Sequence, residues 1–93
     1  MSMPSGKQLS SGRFARAVTD EINMSMARQR ISGAHLSLKT SRSQSYISKR
    51  LRNEAPFTAN DIEEICEALG EDLLGLMAAA VRAAGLTRNG RQR

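Results

Sequence analysis

Hydrogen-bonding and cationic side chains are concentrated in the segment 44–53, QSYISKRLRN. Apart from Ile47 and Leu51, every residue there carries a polar group or a cation, and no acidic residue occurs between Ile31 and Glu54. Such groups suit contact with phosphate oxygens and base edges, where a carboxylate would be repelled. The segment therefore predicts a surface that binds nucleic acid. Its candidate contact residues are Gln44, Ser45, Tyr46, Ser48, Lys49, Arg50, Arg52 and Asn53.

Charge is unevenly distributed along the 93 residues. Residues 1–53 contain ten Lys and Arg against two acids, a net charge of +8, and residues 54–93 contain four against seven, a net charge of −3. The whole chain has a formal charge of +5. A basic half beside an acidic half indicates one polyanion-binding face on a domain whose other side is ordinary solvated surface.

Residue combinations typical of catalysis or metal binding do not stand out in the chain. Cys66 is the single cysteine, so it cannot form an internal disulfide, and His35 has no second ligand at metal-binding spacing. The carboxylates of Glu63, Glu64 and Glu67 are expected to form a solvated face turned away from DNA. The sequence thus predicts a protein that is not an enzyme and has no cofactor, metal or small-molecule ligand.

The two ends of the chain differ from its centre. Segments 1–12 and 86–93 are polar and basic without apolar periodicity, which predicts mobile tails around a domain over 13–85. The tails either contact phosphates or a minor groove, or remain solvated. Their basic residues, with Arg13, are Lys7, Arg88, Arg91 and Arg93. The chain has no run of about eighteen apolar residues and no secretion signal at its start, so we expect no membrane association and a cytoplasmic location.

The first helix is predicted from apolar periodicity. Phe14, Val18, Ile22 and Met26 recur every four residues, which predicts an amphipathic helix over 13–30.

Two short helices joined by a turn follow. Ser32 is expected to cap a helix that ends near Thr40, and Ser43 to cap a helix over 44–52, with the turn at 41–43. The apolar residues expected to face inward are Leu36, Leu38, Ile47 and Leu51.

A fourth and a fifth helix are predicted beyond Pro56. Thr58 and Asp61 resemble a capping box, and Gly70 is the expected stop of the fourth helix. Its apolar face consists of Ile62, Ile65, Cys66 and Leu69. Asp72 begins a fifth helix, and no segment alternates with the period of a strand. The predicted fold class is therefore all-α with five helices.

The fifth helix, 73–84, is apolar nearly all round, with Arg82 as its one charged residue. Such a helix must be covered on more than one side. The residues expected in the core are Leu73, Leu76 and Met77. Those left for a second surface are Leu74, Val81 and the alanines. The pattern predicts a homodimer through this helix.

The order and residues of these elements resemble the lambda-repressor-like (Xre/Cro type) helix-turn-helix family. The resemblance covers about Ile22 to Met77 and rests on three parts of the sequence: ISGAHLSLKTSRSQSYISKRL, the Pro-Phe-Thr at 56–58, and DIEEICEALG followed by DLLGLM. The family usually has glycine where this chain has Ser41. The turn is therefore expected to hold a Cβ in a backbone conformation that glycine prefers.

The resemblance implies a five-helix DNA-binding domain in which the second helix braces against the DNA backbone and the third enters the major groove. By position, Gln44, Ser45, Ser48 and Lys49 would face base edges, and Arg42 and Ser43 would lie near phosphates. Gln44 is the sharpest of these assignments, because a glutamine can hydrogen bond to N6 and N7 of an adenine together.

The function implied is that of a sequence-specific transcription regulator of double-stranded DNA, a repressor of the phage Cro or immunity-repressor type or of the bacterial Xre type. It would act in a bacterial nucleoid or a phage-infected host, by occupying a promoter. One alternative is an antitoxin that regulates its own gene and binds a toxin. Another is a protein-interaction domain that has kept the fold and lost DNA binding.

Overall fold

A computed structural model of the protein describes residues 10–86 as a succession of helices. They are α1 (Arg13–Gln29), α2 (Gly33–Lys39), α3 (Gln44–Leu51), α4 (Ala59–Leu69) and α5 (Leu73–Ala83). No strand occurs within the described residues. The predicted all-helical, five-helix fold is confirmed.

Side-chain caps start four of the helices at the predicted residues. The hydroxyls of Ser32 and Ser43 accept the N–H groups of the third residue beyond them, at 3.0 and 3.1 Å, and Asp72 does the same for α5 at 2.7 Å. Thr58 and Asp61 form a reciprocal capping box. Each cap satisfies a backbone donor that has no partner in the first helical turn.

The turn between α2 and α3 does not use the left-handed backbone conformation expected at Ser41. Among the described non-glycine residues, that conformation occurs only at Arg30 and Asn53. The chain instead leaves α2 through an extended Thr40 and enters α3 through an extended Ser43. A Cβ at position 41 therefore causes no backbone strain, and that expectation was wrong.

The core lies between α1 and the other helices. Its largest fully buried apolar side chains belong to α1 to α4: Val18, Ile22, Leu36, Ile47 and Ile65. Cys66 is also buried, and burial is the largest cause that raises the pKa of its thiol. A buried thiol that is kept protonated is the core residue that the sequence predicted rather than a reactive one.

Two leucines predicted in the core are exposed instead. Leu38 is 84% exposed, because it lies two residues, more than half a turn of helix, from the buried Leu36. Leu73 is 42% exposed, since the buried stripe of α5 begins at Leu76 and continues through small residues. The further members of that stripe are Ala80 and Ala84. These two alanines therefore belong to the core and not to the second surface predicted for the helix.

The described part of the chain starts before the first helix. Ser11 is buried, and its N–H donates to the carbonyl oxygen of Asn53 at 3.3 Å. Arg13 is exposed at the start of α1. The predictions for segments 1–9 and 87–93, including Lys7, Arg88, Arg91 and Arg93, lie outside the described residues. Within residues 10–86, no helix combines the length and the apolar character needed to cross a membrane.

Candidate nucleic-acid interface

Four predicted contact residues share one side of α3. Gln44, Ser45 and Lys49 are exposed and Ser48 is half-buried. Their spacing places them on one face of a helix. We call these four residues the outer side of α3. Within residues 10–86, their side chains form no hydrogen bond or ion pair, so their polar groups are available to a ligand.

Other polar groups near α3 converge on one buried carboxylate, that of Asp61 at the start of α4. The Nε of Arg42 donates to its Oδ1 at 2.6 Å, and the hydroxyl of Tyr46 donates to its Oδ2 at 2.7 Å. The backbone N–H of Thr58 donates to the same Oδ2 at 2.9 Å. We call Asp61, Arg42, Tyr46 and Arg50 the Asp61 cluster.

The electrostatics of the cluster favour an ionised Asp61. Burial acts to raise the pKa of this carboxyl, but hydrogen bonds from Thr58, Tyr46 and Arg42 outweigh it and hold the pKa below its usual value. Burial, followed by the hydrogen bond to Asp61, raises the pKa of the Tyr46 phenol. The hydrogen bond to Asp61 likewise raises the pKa of Arg42. These shifts favour an ionised Asp61 beside a protonated Tyr46 and a protonated Arg42, as the hydrogen bonds between them require.

Arg50 completes the cluster by stacking. Its guanidinium lies over the ring of Tyr46, 3.5 Å from the ring centroid, and its Nη1 donates to the carbonyl oxygen of Tyr46 at 3.3 Å. The guanidinium of Arg42 lies over the same ring at 5.3 Å. Arg50 is only 8% exposed. The guanidinium of Arg50 is thus held by its contact with the Tyr46 ring and lies inside the protein instead of on the surface.

These positions correct two predicted contacts. The hydroxyl of Tyr46, one of the candidate contact residues, is bonded to Asp61 instead of being free for a ligand. The side chain of Arg50, expected on a DNA-facing surface, is buried over the Tyr46 ring. For Tyr46 the reason is the carboxylate of Asp61 on α4, and for Arg50 it is the ring of Tyr46, neither of which the contact prediction took into account.

The remaining candidates have structural roles of their own. Ser43 caps α3, and Arg52 forms an ion pair with Glu54 at 2.7 Å between Nε and Oε2. Asn53 adopts the left-handed conformation that ends α3, with its N–H donating to the carbonyl oxygen of Arg50 at 3.0 Å. Ser43 and Arg52 are nevertheless exposed beside the outer side of α3.

A second carboxylate of α4 holds the turn of the helix-turn-helix. Glu64 accepts the backbone N–H of Ser41 at 2.9 Å and the hydroxyl of Ser41 at 3.1 Å. The sequence had suggested a purely solvated role for Glu64. One signal pointed to both acids: Asp61 and Glu64 lie one helical turn apart and so share a face of α4.

The described residues offer no candidate metal centre. Within residues 10–86, no group of three or more His, Cys, Asp and Glu side chains is placed to hold a metal ion.

Comparison with known proteins shows a similarity of structure but not of sequence. No protein-family model matches the chain, and no curated protein is significantly similar to it in sequence. The crystal structure of the clp gene regulator ClgR from C. glutamicum superposes with a TM-score of 0.69, covering 78% of this chain and 95% of that chain at 16% identity. The two chains share a fold. The helical arrangement described above is therefore one that a known gene regulator also has.

Proposed function

We propose that this protein is a sequence-specific transcription regulator that binds double-stranded DNA, with α3 in the major groove. The observation that carries the proposal is the outer side of α3. Its four polar side chains are free within the described structure, and no acidic residue of α2 or α3 lies among them. A helix of this width fits the major groove, where each base pair presents a distinct pattern of donors and acceptors.

We assign contacts with DNA bases to the outer side of α3 and contacts with DNA phosphates to the residues just before it. Gln44, exposed in the first turn of α3, is proposed to bond an adenine through its amide oxygen and nitrogen together. Lys49 suits either a guanine or a phosphate. Arg42 and Ser43 are proposed to lie near phosphates. Arg42 does so while its Nε remains bonded to Asp61.

We propose that the regulator is a repressor of the Xre or phage Cro type that acts by occupying a promoter. The small domain and the fold shared with a gene regulator support this. In that mechanism, repression requires no catalysis, only a bound domain in the path of transcription.

A second copy of the chain is the proposed protein partner, bound through α5. Leu74 of this helix is 77% exposed. It also lines an apolar groove of about 680 Å³ together with Phe14, Phe57, Ile62, Leu73 and Met77. An exposed apolar groove that includes this leucine suits a two-fold interface, in which each copy covers the groove of the other. A dimer of this kind places two recognition helices about one DNA turn apart, ~34 Å.

Selection of bound sequences from random duplex DNA tests the proposed function. The enriched duplex is then titrated with the protein at two salt concentrations. We expect an enriched palindrome with half-sites one turn apart, bound more tightly than random duplex at both concentrations. An enriched asymmetric site would support a sequence-specific regulator but contradict the proposed dimer. No enrichment, with binding that only weakens steeply with salt, would overturn sequence-specific regulation.

The dimer has a separate test in Leu74→Glu. The added charge is expected to convert a dimer into a monomer in sedimentation equilibrium while helical content is kept, because Leu74 is not part of the core. Leu38→Glu, at an exposed leucine of α2, is the matched control and should leave the assembly state unchanged. A monomeric wild-type chain at high concentration would contradict the interface.

A further inference from the structure

One carboxylate connects the three parts of the molecule that must be aligned for α3 to contact DNA. Asp61 accepts hydrogen bonds from Arg42 in the turn, from Tyr46 in α3 and from Thr58 at the start of α4. Its side chain is fully buried. Each bond to an ionised carboxylate is stronger and more directional than one between neutral groups.

Apolar packing alone leaves the rotation of α3 weakly determined. The helix has eight residues, and Ile47 is its one fully buried apolar side chain, with Tyr46 and Leu51 only partly buried against the core. Apolar contact is non-directional, so this packing restricts the rotation of a short helix about its axis less sharply than hydrogen bonds do. The bonds of Tyr46 and Arg42 to Asp61 have preferred angles and lengths. They therefore define the rotation of α3 more closely than burial alone does.

We propose that Asp61 is a positioning residue that sets the rotation of α3 and thereby selects which side chains of its outer side meet the bases. Asp61 contacts no DNA in this role and acts through Tyr46 and Arg42. The inference rests on the proposed function, DNA recognition by α3, and adds to it a determinant of specificity on a different helix.

The geometry separates this role from that of an ordinary helix cap. The capping box of α4 needs one acceptor for the N–H of Thr58, and Oδ2 of Asp61 supplies it. Oδ1 is bonded to Arg42 instead, and Oδ2 also accepts the hydroxyl of Tyr46. Asp61→Asn keeps an acceptor for the cap and removes the charge. Tyr46→Phe keeps the cap intact and removes only the bond from α3.

The first test uses the chain's own chromophore. The protein has one tyrosine and no tryptophan, so tyrosinate absorbance during alkaline titration reports Tyr46 alone. Asp61→Asn is expected to lower the pKa of Tyr46 relative to the wild type, because the carboxylate is lost while the cations of Arg42 and Arg50 remain near the ring. Circular dichroism at each pH restricts the comparison to folded protein.

Glu67→Gln is the matched control, because Glu67 is an exposed acid of the same helix whose side chain forms no hydrogen bond within the described residues. It should leave the titration of Tyr46 unchanged. An unchanged titration in folded Asp61→Asn as well would overturn the role of Asp61 in holding Tyr46.

The second test measures DNA specificity as the ratio of affinities for the duplex that the wild type selects and for a scrambled duplex. Asp61→Asn and Tyr46→Phe are each expected to lower this ratio on the order of tenfold, the value of one misaligned base contact. Affinity for the scrambled duplex should stay the same in Tyr46→Phe, which leaves the bond between Arg42 and Asp61 in place. Glu67→Gln should change neither affinity.

The outcomes separate the inference from the proposed function. A wild-type preference that persists undiminished in both folded variants would overturn the positioning role alone. A wild-type chain without any preference would overturn the proposed function itself, and the positioning of base contacts with it.

Discussion

The outer side of α3 and the Asp61 cluster are built from the same short stretch of polar sequence, yet they behave differently. Lys49 is exposed and Arg50, the next residue, is buried over an aromatic ring. The difference does not lie in the side chains, since both are long cations. It lies in what each cation packs against: Arg50 covers the ring of Tyr46, a residue of the same helix whose hydroxyl is bonded to Asp61 of α4.

This contrast shows that a count of donors along a helix does not give the number available to a ligand. The Nε of Arg42 and the hydroxyl of Tyr46 are already bonded to Asp61, and we propose that these bonds hold α3 in one orientation. Donors of the outer side remain hydrated until a ligand replaces their water. A recognition helix needs both groups, because free donors recognise a sequence only when the helix that carries them is held in one orientation.

The largest expected effect is on stability and comes from Ile47, the fully buried apolar residue of α3. Ile47→Ala should lower the free energy of unfolding by about 2–5 kcal/mol, because it removes a fully buried side chain and leaves a cavity. Urea titration followed by circular dichroism measures this. Leu38→Ala, at an exposed leucine of α2, should stay within about 0.5 kcal/mol of the wild type. Equal losses for both would contradict the assignment of inside and outside.

Gln44→Ala should affect DNA binding and leave folding unchanged. We expect a loss of about 1–3 kcal/mol in affinity for the selected duplex and almost none for a scrambled duplex, because a base contact is removed and no phosphate contact is lost. Titration of both duplexes by fluorescence anisotropy checks this. If binding to both duplexes weakens equally, Gln44 does not contact bases.

Lys49 and Arg50 give a matched pair of neighbours for comparing the two regions. Arg50→Ala should cost about 1–2 kcal/mol of unfolding free energy, through lost stacking and packing on Tyr46. Lys49→Ala should change stability by less than about 0.5 kcal/mol and should weaken DNA binding. Thermal denaturation and anisotropy titration of both variants distinguish the two effects. The reverse assignment of effects would show that the contrast between the regions is wrong.

The smallest expected effect is the acid dependence of the Asp61 cluster. The pKa of Asp61 is lower in the folded protein than its usual value, so its ionised form stabilises the fold above about pH 4. This contribution is lost as the pH falls through the lowered pKa. Urea titrations at a series of acidic pH values should therefore show a shallower loss of stability in Asp61→Asn.

Glu54 supplies the comparison for that experiment. The hydrogen bond from Arg52 lowers the pKa of Glu54 too, but this ion pair is exposed, so solvent screens it. Glu54→Gln should alter the acid dependence less than Asp61→Asn does. A larger change in Glu54→Gln would mean that the exposed pair, and not the buried cluster, determines acid stability.

Features that depend on neighbours in sequence could be predicted, and those that depend on packing between helices could not. Ser32, Ser43 and Thr58 were predicted as caps because each bonds an N–H three residues away. Asp61 was predicted in its capping role for the same reason. Its bonds to Arg42 and Tyr46 span 19 and 15 residues and exist only once the folded chain brings these side chains within reach of α4.

The same distinction explains the errors in α5. Its nearly uniform apolar sequence contains no polar residues to mark which side faces the core. Only the packing of α5 against α1 shows that Ala80 and Ala84 are buried and that Leu73 is largely exposed. The outer side of α3, in contrast, was predictable because its apolar and polar residues alternate with the period of a helix.

The central claim is that the outer side of α3 recognises base pairs. Parallel selections from random duplex DNA with the wild type and with Gln44→Ala test it most directly. The account predicts two enriched sequences that differ in preference at one base pair of each half-site and agree at the others. Identical preferences at every position, with equal enrichment, would contradict it.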